Sequence, residues 1–274
     1  MGEDEQRLHL VAVWREAPSF TPRERAALAW CEALAETMFK FTNIVMHYAP
    51  VGVGAAIAYT VGHGGIGVLY NLAWLVATLY AALAVLILGV FLPIALIFKV
   101  PLRKFIRAVK EPAVIAFSTT SSEAALPRAM EVMERLGVPR RIVSFVLPLG
   151  YSFNLDGTTL YLSLAAVFVA QAAGVHLSIG QQITMLITLM LTSKGVAGVP
   201  RASLVILAGT LASYGLPLEG VTLILGVDEL MDMARTMTNV IGNCLATVVI
   251  AKWEGEFNEA SDADLALAAQ RGEI

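Results

Sequence analysis

Formal charge is scarce along this chain. Only 15% of the 274 residues are Asp, Glu, Lys or Arg, and 57% are hydrophobic, whereas a soluble domain carries about 25% charged residues. Residues 66–98 contain no charge at all, and Asp156 is the one formal charge between Arg141 and Lys194. Because about 20 consecutive apolar residues cross a hydrocarbon core of about 30 Å, the sequence predicts an integral membrane protein and excludes an ordinary soluble domain.

Several chemical signatures are also missing. The two cysteines, Cys31 and Cys244, are too few for a disulfide framework or a cysteine metal site. No segment alternates apolar and polar residues as a β-barrel strand does, so the membrane spans are expected to be helices. There is no nucleophile elbow, His-Glu-x-x-His motif or pair of catalytic carboxylates, so neither an enzyme nor a cofactor is expected. The net charge of −3 gives no indication of a nucleic-acid partner.

Apolar stretches and the segments between them divide the chain. We predict a polar lead-in over 1–25, transmembrane helices over 26–62, 66–98, 142–172 and 219–251, and an acidic tail over 253–274. Two basic clusters, 99–110 and 128–141, follow the second of these helices and precede the third. By the positive-inside rule both clusters lie in the cytoplasm. The chain is therefore expected to cross the membrane several times.

Two segments are too short to cross the membrane as single helices. In 112–135 the hydroxyl-rich run Ser118–Ser122 interrupts a short apolar arm, and both ends are cytoplasmic, so we expect a re-entrant hairpin with this run at its tip. A surface linker is the alternative. The segment 179–216 repeats the pattern from the opposite side, with a Gly- and Pro-rich break. Two oppositely inserted hairpins, each followed by a span, form an inverted pair, 112–172 and 179–251, which indicates a transporter with its site at the repeat interface.

The centre of the span 142–172 reads Asn154-Leu-Asp-Gly-Thr158. Gly157 after Asn and Asp indicates local unwinding, which would expose backbone carbonyls beside carboxamide, carboxylate and hydroxyl oxygens. Hard cations bind such oxygens, and interrupted helices at the membrane midplane hold the coupling ions of transporters. The alternative is that Asp156 is satisfied by helix packing, which the cost of a charge in lipid makes the weaker interpretation.

A polar stripe runs along the last predicted span. Its members, spaced i, i+3, i+4, i+7 and i+11, share one helix face: Asp232, Arg235, Thr236, Asn239 and Asn243. A face with both charges can bind a zwitterion, because Asp232 can accept an ammonium group and Arg235 can hold a carboxylate through two parallel bonds. The alternative is an internal ion pair between Asp232 and Arg235 that only helps helices to pack.

Three motifs occur in order along the chain. They are Ser-Thr-Thr-Ser-Ser-Glu-Ala-Ala-Leu-Pro (118–127), Asn-Leu-Asp-Gly-Thr (154–158) with Gly195–Pro200, and Asp-Met-Ala-Arg-Thr-Met-Thr-Asn (232–239). Together they closely resemble the glutamate transporter family, the dicarboxylate/amino acid:cation symporters, over about residues 27–255. The resemblance implies an all-α, glutamate-transporter-like fold with inverted repeats and a homotrimer spanning the bacterial inner membrane many times. It also implies an elevator mechanism in which a transport domain, residues 66–252, carries substrate across.

The resemblance also implies roles for individual residues. Arg235 should hold the substrate side-chain carboxylate and Asp232 its amino group, and further substrate contacts fall on Thr158, Asn239, Thr236, Ser121, Ser122 and Val199. Cation positions are Asn154, Asp156, Asn239 and Asn243, the first three matching positions where Na⁺ would bind. The gate in the second hairpin would comprise Gly195, Gly198 and Pro200.

Two positions indicate a branch of the family. Asn243 stands where sodium-coupled relatives carry an aspartate, and with Glu123 and Ser193-Lys194-Gly195 it makes the chain similar to the bacterial proton-coupled glutamate/aspartate branch. Asp232 stands where C4-dicarboxylate relatives cannot pair with an ammonium. We therefore expect symport of acidic amino acids driven by protons, with or without sodium, and a C4-dicarboxylate symporter is the alternative. The family's first four spans have no counterpart in this sequence, so a truncated or split module that binds substrate but cannot transport alone is a further alternative.

Overall fold

The computed structural model describes residues 65–194 and 202–258 continuously, together with single positions and short runs between 21 and 62. Met1–Ala55 and Ala56–Ile274 form two compact units. The described positions of the first unit are almost all helical. Four predicted segments lie wholly or partly outside the described residues: the lead-in over 1–25, the helix over 26–62, the hairpin break at 195–201 and the tail beyond 258.

The uncharged stretch forms one long helical rod. It consists of α1 (Gly67–Leu86), a π-helical turn (Ile87–Phe91) and α2 (Leu92–Ile97). One face of α1 is buried through leucines spaced three and four residues apart, which are Leu72, Leu75, Leu79 and Leu83. The remaining faces are exposed and carry mainly apolar side chains, such as Trp74 at 68% exposure. Apolar side chains on every face are typical of a helix surrounded by lipid, and Gly67–Ile97 is long enough to cross a membrane.

The π-helical turn ends next to Pro93, near the start of α2. A proline ring inside a helix clashes with the carbonyl group four residues earlier. That residue is Gly89, which lies within the π-helical turn. The wider turn relieves this clash, and the helix continues to Ile97.

Two helices, α3 (Leu102–Thr119) and α4 (Ser122–Leu136), surround the predicted hydroxyl-rich tip. The chain reverses at Thr120, which adopts the left-handed conformation with φ 52°. The side chain of Ser121 then accepts a hydrogen bond from the backbone N–H of Ala124 at 3.3 Å and caps α4. The two helices pack against each other and both pack against the last helix of the chain.

The first arm begins earlier than the sequence indicated. Helix α3 starts at Leu102, ten residues before the predicted start at 112, and includes most of the basic cluster at 99–110, which lies outside every predicted helix and hairpin. The physical reason is amphipathicity, because the basic residues Arg103, Arg107 and Lys110 are exposed. The apolar residues between them recur on one buried face, which comprises Phe105, Val109, Ala113 and Ala116.

The rest of the chain alternates helices and short breaks. In order, these helices are α5 (Arg140–Phe153), α6 (Asp156–Ala172), α7 (Ile179–Thr192), α8 (Ala202–Ser213), α9 (Glu219–Leu225) and α10 (Asp228–Trp253). Two breaks matter for the site. The chain leaves helical geometry at Asn154–Leu155, between α5 and α6, and the span predicted over 219–251 is divided at Gly226–Val227.

Two hydrophobic cores share α10. The first core contains buried residues of α3, α4 and α5 and of the second half of α10, such as Val240 and Val248. The second contains buried residues of α1, α6, α7, α8 and α9 and of the first turns of α10, such as Met231 and Ala234. The helix therefore passes from one core into the other.

Every regular element in the described part of the chain is a helix, which confirms the all-α class. Arg140–Ala172, which includes the break at Asn154, is the second described stretch long and apolar enough to cross a membrane. Re-entrant insertion of the two hairpins and the inverted relation of the repeats stay predictions.

Candidate functional site

Buried polar side chains are concentrated on α10. These residues are Asp228, Asp232, Arg235, Thr236, Thr238, Asn239, Asn243 and Thr247. Several of them lie between Ala234, which belongs to the second core, and Val248, which belongs to the first. Buried charges are costly unless they are paired and hydrogen-bonded, and in membrane segments they mark functional sites. The contacts made by this band therefore define the candidate site.

Asp232 and Arg235 form a bidentate ion pair along one turn of α10. Arg235 Nε donates to Asp232 Oδ1 at 2.9 Å, and Nη2 lies 2.9 Å from Asp232 Oδ2. Thr236 Oγ1 also donates to Asp232 Oδ1, at 2.8 Å. Arg235 Nη1 donates to Ser203 Oγ on α8. The Asp232 and Arg235 side chains are 4% and 3% exposed, so the internal ion pair weighed in the sequence analysis is formed away from water.

The guanidinium of Arg235 keeps donor capacity for a further acidic group. An arginine side chain has five N–H donors. The bonds to Asp232 and Ser203 engage three of them. The two that remain can bind a carboxylate, the planar acidic group that arginine recognises through parallel bonds. The internal ion pair and a role in substrate binding are therefore compatible.

Arg235 also contacts Tyr161, which in turn bonds Asp228, and the sequence analysis predicted neither residue. Its Cζ atom lies 4.1 Å from the centroid of the Tyr161 ring, within the range of a cation–π interaction. The Tyr161 hydroxyl donates to Asp228 Oδ1 at 2.6 Å, and Asp228 is fully buried. Helical spacing could have identified both residues, because Asp228 lies four residues before Asp232 and Tyr161 lies three after Thr158. Ser203 had no such signal, since it reaches the site only through tertiary packing.

Asn239 joins α10 to the start of α6. Its Oδ1 accepts a hydrogen bond from the backbone N–H of Gly157 at 2.8 Å. Its Nδ2 donates to Thr158 Oγ1 at 2.9 Å. All three residues are buried. The structure therefore brings together two predicted substrate residues, Thr158 and Asn239.

Gly157 has a different role from the one predicted. The helix is interrupted at Asn154–Leu155, whereas Gly157 lies inside the first turn of α6. A Cβ atom at this position would lie 2.6 Å from the backbone oxygen of Arg235. Glycine is therefore required for the close approach of α6 to α10, and the unwinding occurs before it.

Three of the predicted cation residues gather at the interruption. Asn154 Nδ2 donates to Asn243 Oδ1 at 3.1 Å, and Asn243 Nδ2 donates to the backbone oxygen of Asn154 at 3.4 Å. With its amide turned over, Asn154 would instead donate to the two carboxylate oxygens of Asp156 at 3.2 and 3.1 Å. Gly150 permits this arrangement, because a Cβ there would lie 2.2 Å from Asn243 Oδ1. Amide and carboxylate oxygens of the kind that hard cations bind are thus within hydrogen-bond reach of one another.

The predicted hairpin residues divide into two groups. Ser121 and Ser122 lie at the start of α4, a helix that packs on α10, and Ser122 is buried. The residues expected in the second hairpin break lie outside the described residues: Gly195, Gly198, Val199 and Pro200.

Comparison with known families and proteins matches most of the chain. Residues 17–253 match the Sodium:dicarboxylate symporter family. The chain is 52% identical over 242 residues to the proton/glutamate-aspartate symporter of Escherichia coli, covering 87% of this chain and 54% of that protein. It is 50% identical over 238 residues to the proton/sodium-glutamate symport protein of Bacillus subtilis, covering 87% of this chain and 56% of that protein.

A relative with a different printed substrate is nearly as similar. The C4-dicarboxylate transport protein 2 of Mesorhizobium japonicum is 46% identical over 234 residues, covering 85% of this chain and 53% of that protein. The chain spans about half the length of the curated relatives it matches.

Proposed function

Because the chain belongs to the sodium:dicarboxylate symporter family, which consists of transporters and not enzymes, we propose that it carries the substrate- and cation-binding part of a symporter for glutamate or aspartate. Transport is coupled to protons, with or without sodium. The observation that carries the proposal is the buried Asp232–Arg235 pair at the junction of two cores. An acidic amino acid presents an ammonium and two carboxylates, and this pair offers a partner of each sign.

The substrate binds to both members of this pair and replaces part of the contact between Asp232 and Arg235. Arg235 binds the side-chain carboxylate through the donors that Asp232 and Ser203 leave unused. Asp232 turns one oxygen from Arg235 to the substrate ammonium, which preserves its charge pairing. The remaining contacts come from hydroxyl, amide and backbone groups of Thr158, Thr236, Asn239, Ser121, Ser122 and Val199.

Electrostatics supplies a reason for ion coupling. The Asp232–Arg235 pair combines one negative and one positive charge before an acidic substrate enters. The substrate adds one net negative charge. Burying that excess is costly in a low-dielectric interior, and a co-transported cation removes the cost. Positions for it are the oxygen-bearing side chains near the interruption, which are Asn154, Asp156, Asn239 and Asn243.

The larger assembly belongs to the same proposal. The two hairpins enter the membrane from opposite sides, and residues 195–200 form the gate. The transport domain moves as an elevator within a homotrimer in the bacterial inner membrane. Helices equivalent to the other half of the longer relatives complete the scaffold, in the same polypeptide or in a second one.

A C4-dicarboxylate symporter is the second candidate. It is favoured by the similarity to the Mesorhizobium japonicum protein and by Arg235, which can bind any carboxylate. Asp232 weighs against it, because a dicarboxylate has no ammonium to compensate the aspartate. Competition distinguishes the two: for the amino-acid symporter, unlabelled aspartate displaces bound glutamate and succinate does not.

The test is binding and uptake of labelled glutamate by the purified chain and its Arg235→Ala variant. Losing the guanidinium removes a buried charged partner worth about 2–5 kcal/mol, so glutamate affinity should fall about 30-fold or more. Arg141→Ala is the control, since Arg141 is also ion-paired, with Glu256, but is exposed. Equal glutamate affinity in both variants and the wild type contradicts the site assignment. Uptake into proteoliposomes under proton or sodium gradients then identifies the coupling ion.

A further inference from the structure

A lysine from the second predicted hairpin contacts the interrupted helix. Lys194 follows the end of α7 and its C-cap Ser193. Its Nζ donates to the backbone oxygen of Phe153 at 2.6 Å, a bond between residues 41 positions apart in the sequence. Phe153 is the last residue of α5, directly before the break. The side chain therefore connects the first arm of the hairpin to the site where α5 and α6 separate.

The environment of this ammonium is the kind that binds a cation. The last carbonyls of a helix lack intrahelical partners, and the helix macrodipole places partial negative charge there. Asp156, an acidic residue three positions beyond Phe153, begins α6. In membrane transporters, carbonyls at the ends of half-helices coordinate mobile Na⁺ or protons. Here a covalently attached cation already makes that contact.

We propose that the ammonium of Lys194 is a tethered cation that replaces one mobile monovalent cation at the interruption and fastens the first arm of the second hairpin to the broken helix. This inference rests on the proposed function for its meaning in transport. A free monovalent cation is the alternative partner for the carbonyl end of a half-helix. With Lys194 in place, this closure requires no sodium, which agrees with a symporter driven by protons.

The test compares Lys194→Met with Lys194→Arg and with the control Lys252→Met, in the full chain purified in detergent. Lys252 lies at the end of α10, where it stacks on Phe257 at 4.6 Å. The first measurement is the apparent midpoint of thermal unfolding in NaCl and in choline chloride at equal ionic strength. We expect sodium to raise the midpoint of Lys194→Met by at least about 2 °C more than that of wild type. Lys194→Arg and Lys252→Met should match wild type, since the first keeps the charge and the second leaves the interruption untouched.

The second measurement is the dissociation constant of glutamate in the same two salts. Lys194→Met should bind at least about tenfold more weakly than wild type in choline and should recover most of its affinity in NaCl. A sodium response of Lys194→Met equal to those of wild type and Lys252→Met, in both measurements, overturns the proposal. If wild type does not bind glutamate, the proposed function fails, and the thermal measurement alone then decides the role of Lys194.

Discussion

Gly157→Ala tests whether the close approach of α6 and α10 builds the site. The new Cβ would lie 2.6 Å from the backbone oxygen of Arg235 and 3.1 Å from its Cα, whereas ordinary contacts of a Cβ begin near 3.4 Å. One helix must therefore move by nearly 1 Å, and both contacting atoms are backbone that cannot rotate away. Overpacking of this kind costs about 1–3 kcal/mol.

The same displacement also disturbs binding groups on both helices. The bond from Gly157 N–H to Asn239 Oδ1 lengthens beyond its present 2.8 Å, and Asn239 loses the geometry that holds Thr158. Leaving a buried polar group without its partner costs about 1–3 kcal/mol. Glutamate affinity should therefore fall about 5- to 150-fold, and the unfolding midpoint should fall by about 2–12 °C.

A second glycine provides the matched control. Gly209 lies inside α8, is exposed, and a Cβ there meets no atom within 4 Å. Alanine at an exposed helix position is favoured over glycine by about 1 kcal/mol, so Gly209→Ala should raise the midpoint slightly and leave glutamate affinity unchanged. Calorimetric titration measures the glutamate affinity of the two variants, and thermal scans measure whether the unfolding midpoint falls in Gly157→Ala and rises in Gly209→Ala. If Gly157→Ala behaves like Gly209→Ala, close packing at this point does not shape the site.

The other predictions concern single contacts within the site. Asp232→Ala should weaken glutamate binding at least about tenfold and leave succinate binding equal or stronger, because the ammonium partner is lost while Arg235 remains; competition assays measure both. Tyr161→Phe keeps the ring beside Arg235 but removes the hydroxyl that donates to Asp228. The free energy of glutamate binding should therefore weaken by about 1–3 kcal/mol. In the same titration Tyr70→Phe is the control, because Tyr70 is exposed and its variant should bind glutamate as wild type does. Asn243→Asp adds a carboxylate oxygen at the interruption, so glutamate binding should become more sodium-dependent, as dissociation constants in NaCl and choline chloride will show.

Patterns of local origin were predictable from the sequence. The stripe containing Asp232 and Arg235 follows from helical spacing, and its importance follows from the cost of charge in a membrane. The polar residues around Asn154 predict the break there, but its exact position, before Gly157, does not follow from them. The run of lysine and arginine before residue 112 lies outside every predicted helix, although Phe105 and Val109 within it have helical spacing.

Contacts between distant segments were not predictable. Ser203 reaches Arg235 across 32 residues, and Lys194 reaches Phe153 across 41. Nothing in the composition around Ser203 or Lys194 indicates these pairings, since they arise from the way α7 and α8 pack on the interrupted helix. The requirement for Gly150 opposite Asn243 is equally a property of two surfaces and not of one segment.

The π-helical turn at Ile87–Phe91 changes which face of the long first rod is buried after the turn. On the long first rod, Leu79 and Leu83 are buried before the turn, and Phe91 and Ala95 are buried after it. In an ordinary α-helix, the residue two turns after Leu83 on the same face would be at position 90. The one extra residue in the π-helical turn thus rotates α2, the part of the rod after the turn, by about 100°. This rotation directs Phe91 onto α10, where a Cβ at Gly242 would lie 2.8 Å from the ring. Deleting one residue from this turn would therefore restore the clash of Pro93 with the carbonyl group four residues earlier, and it would change which face of the rod meets the helix that holds Arg235.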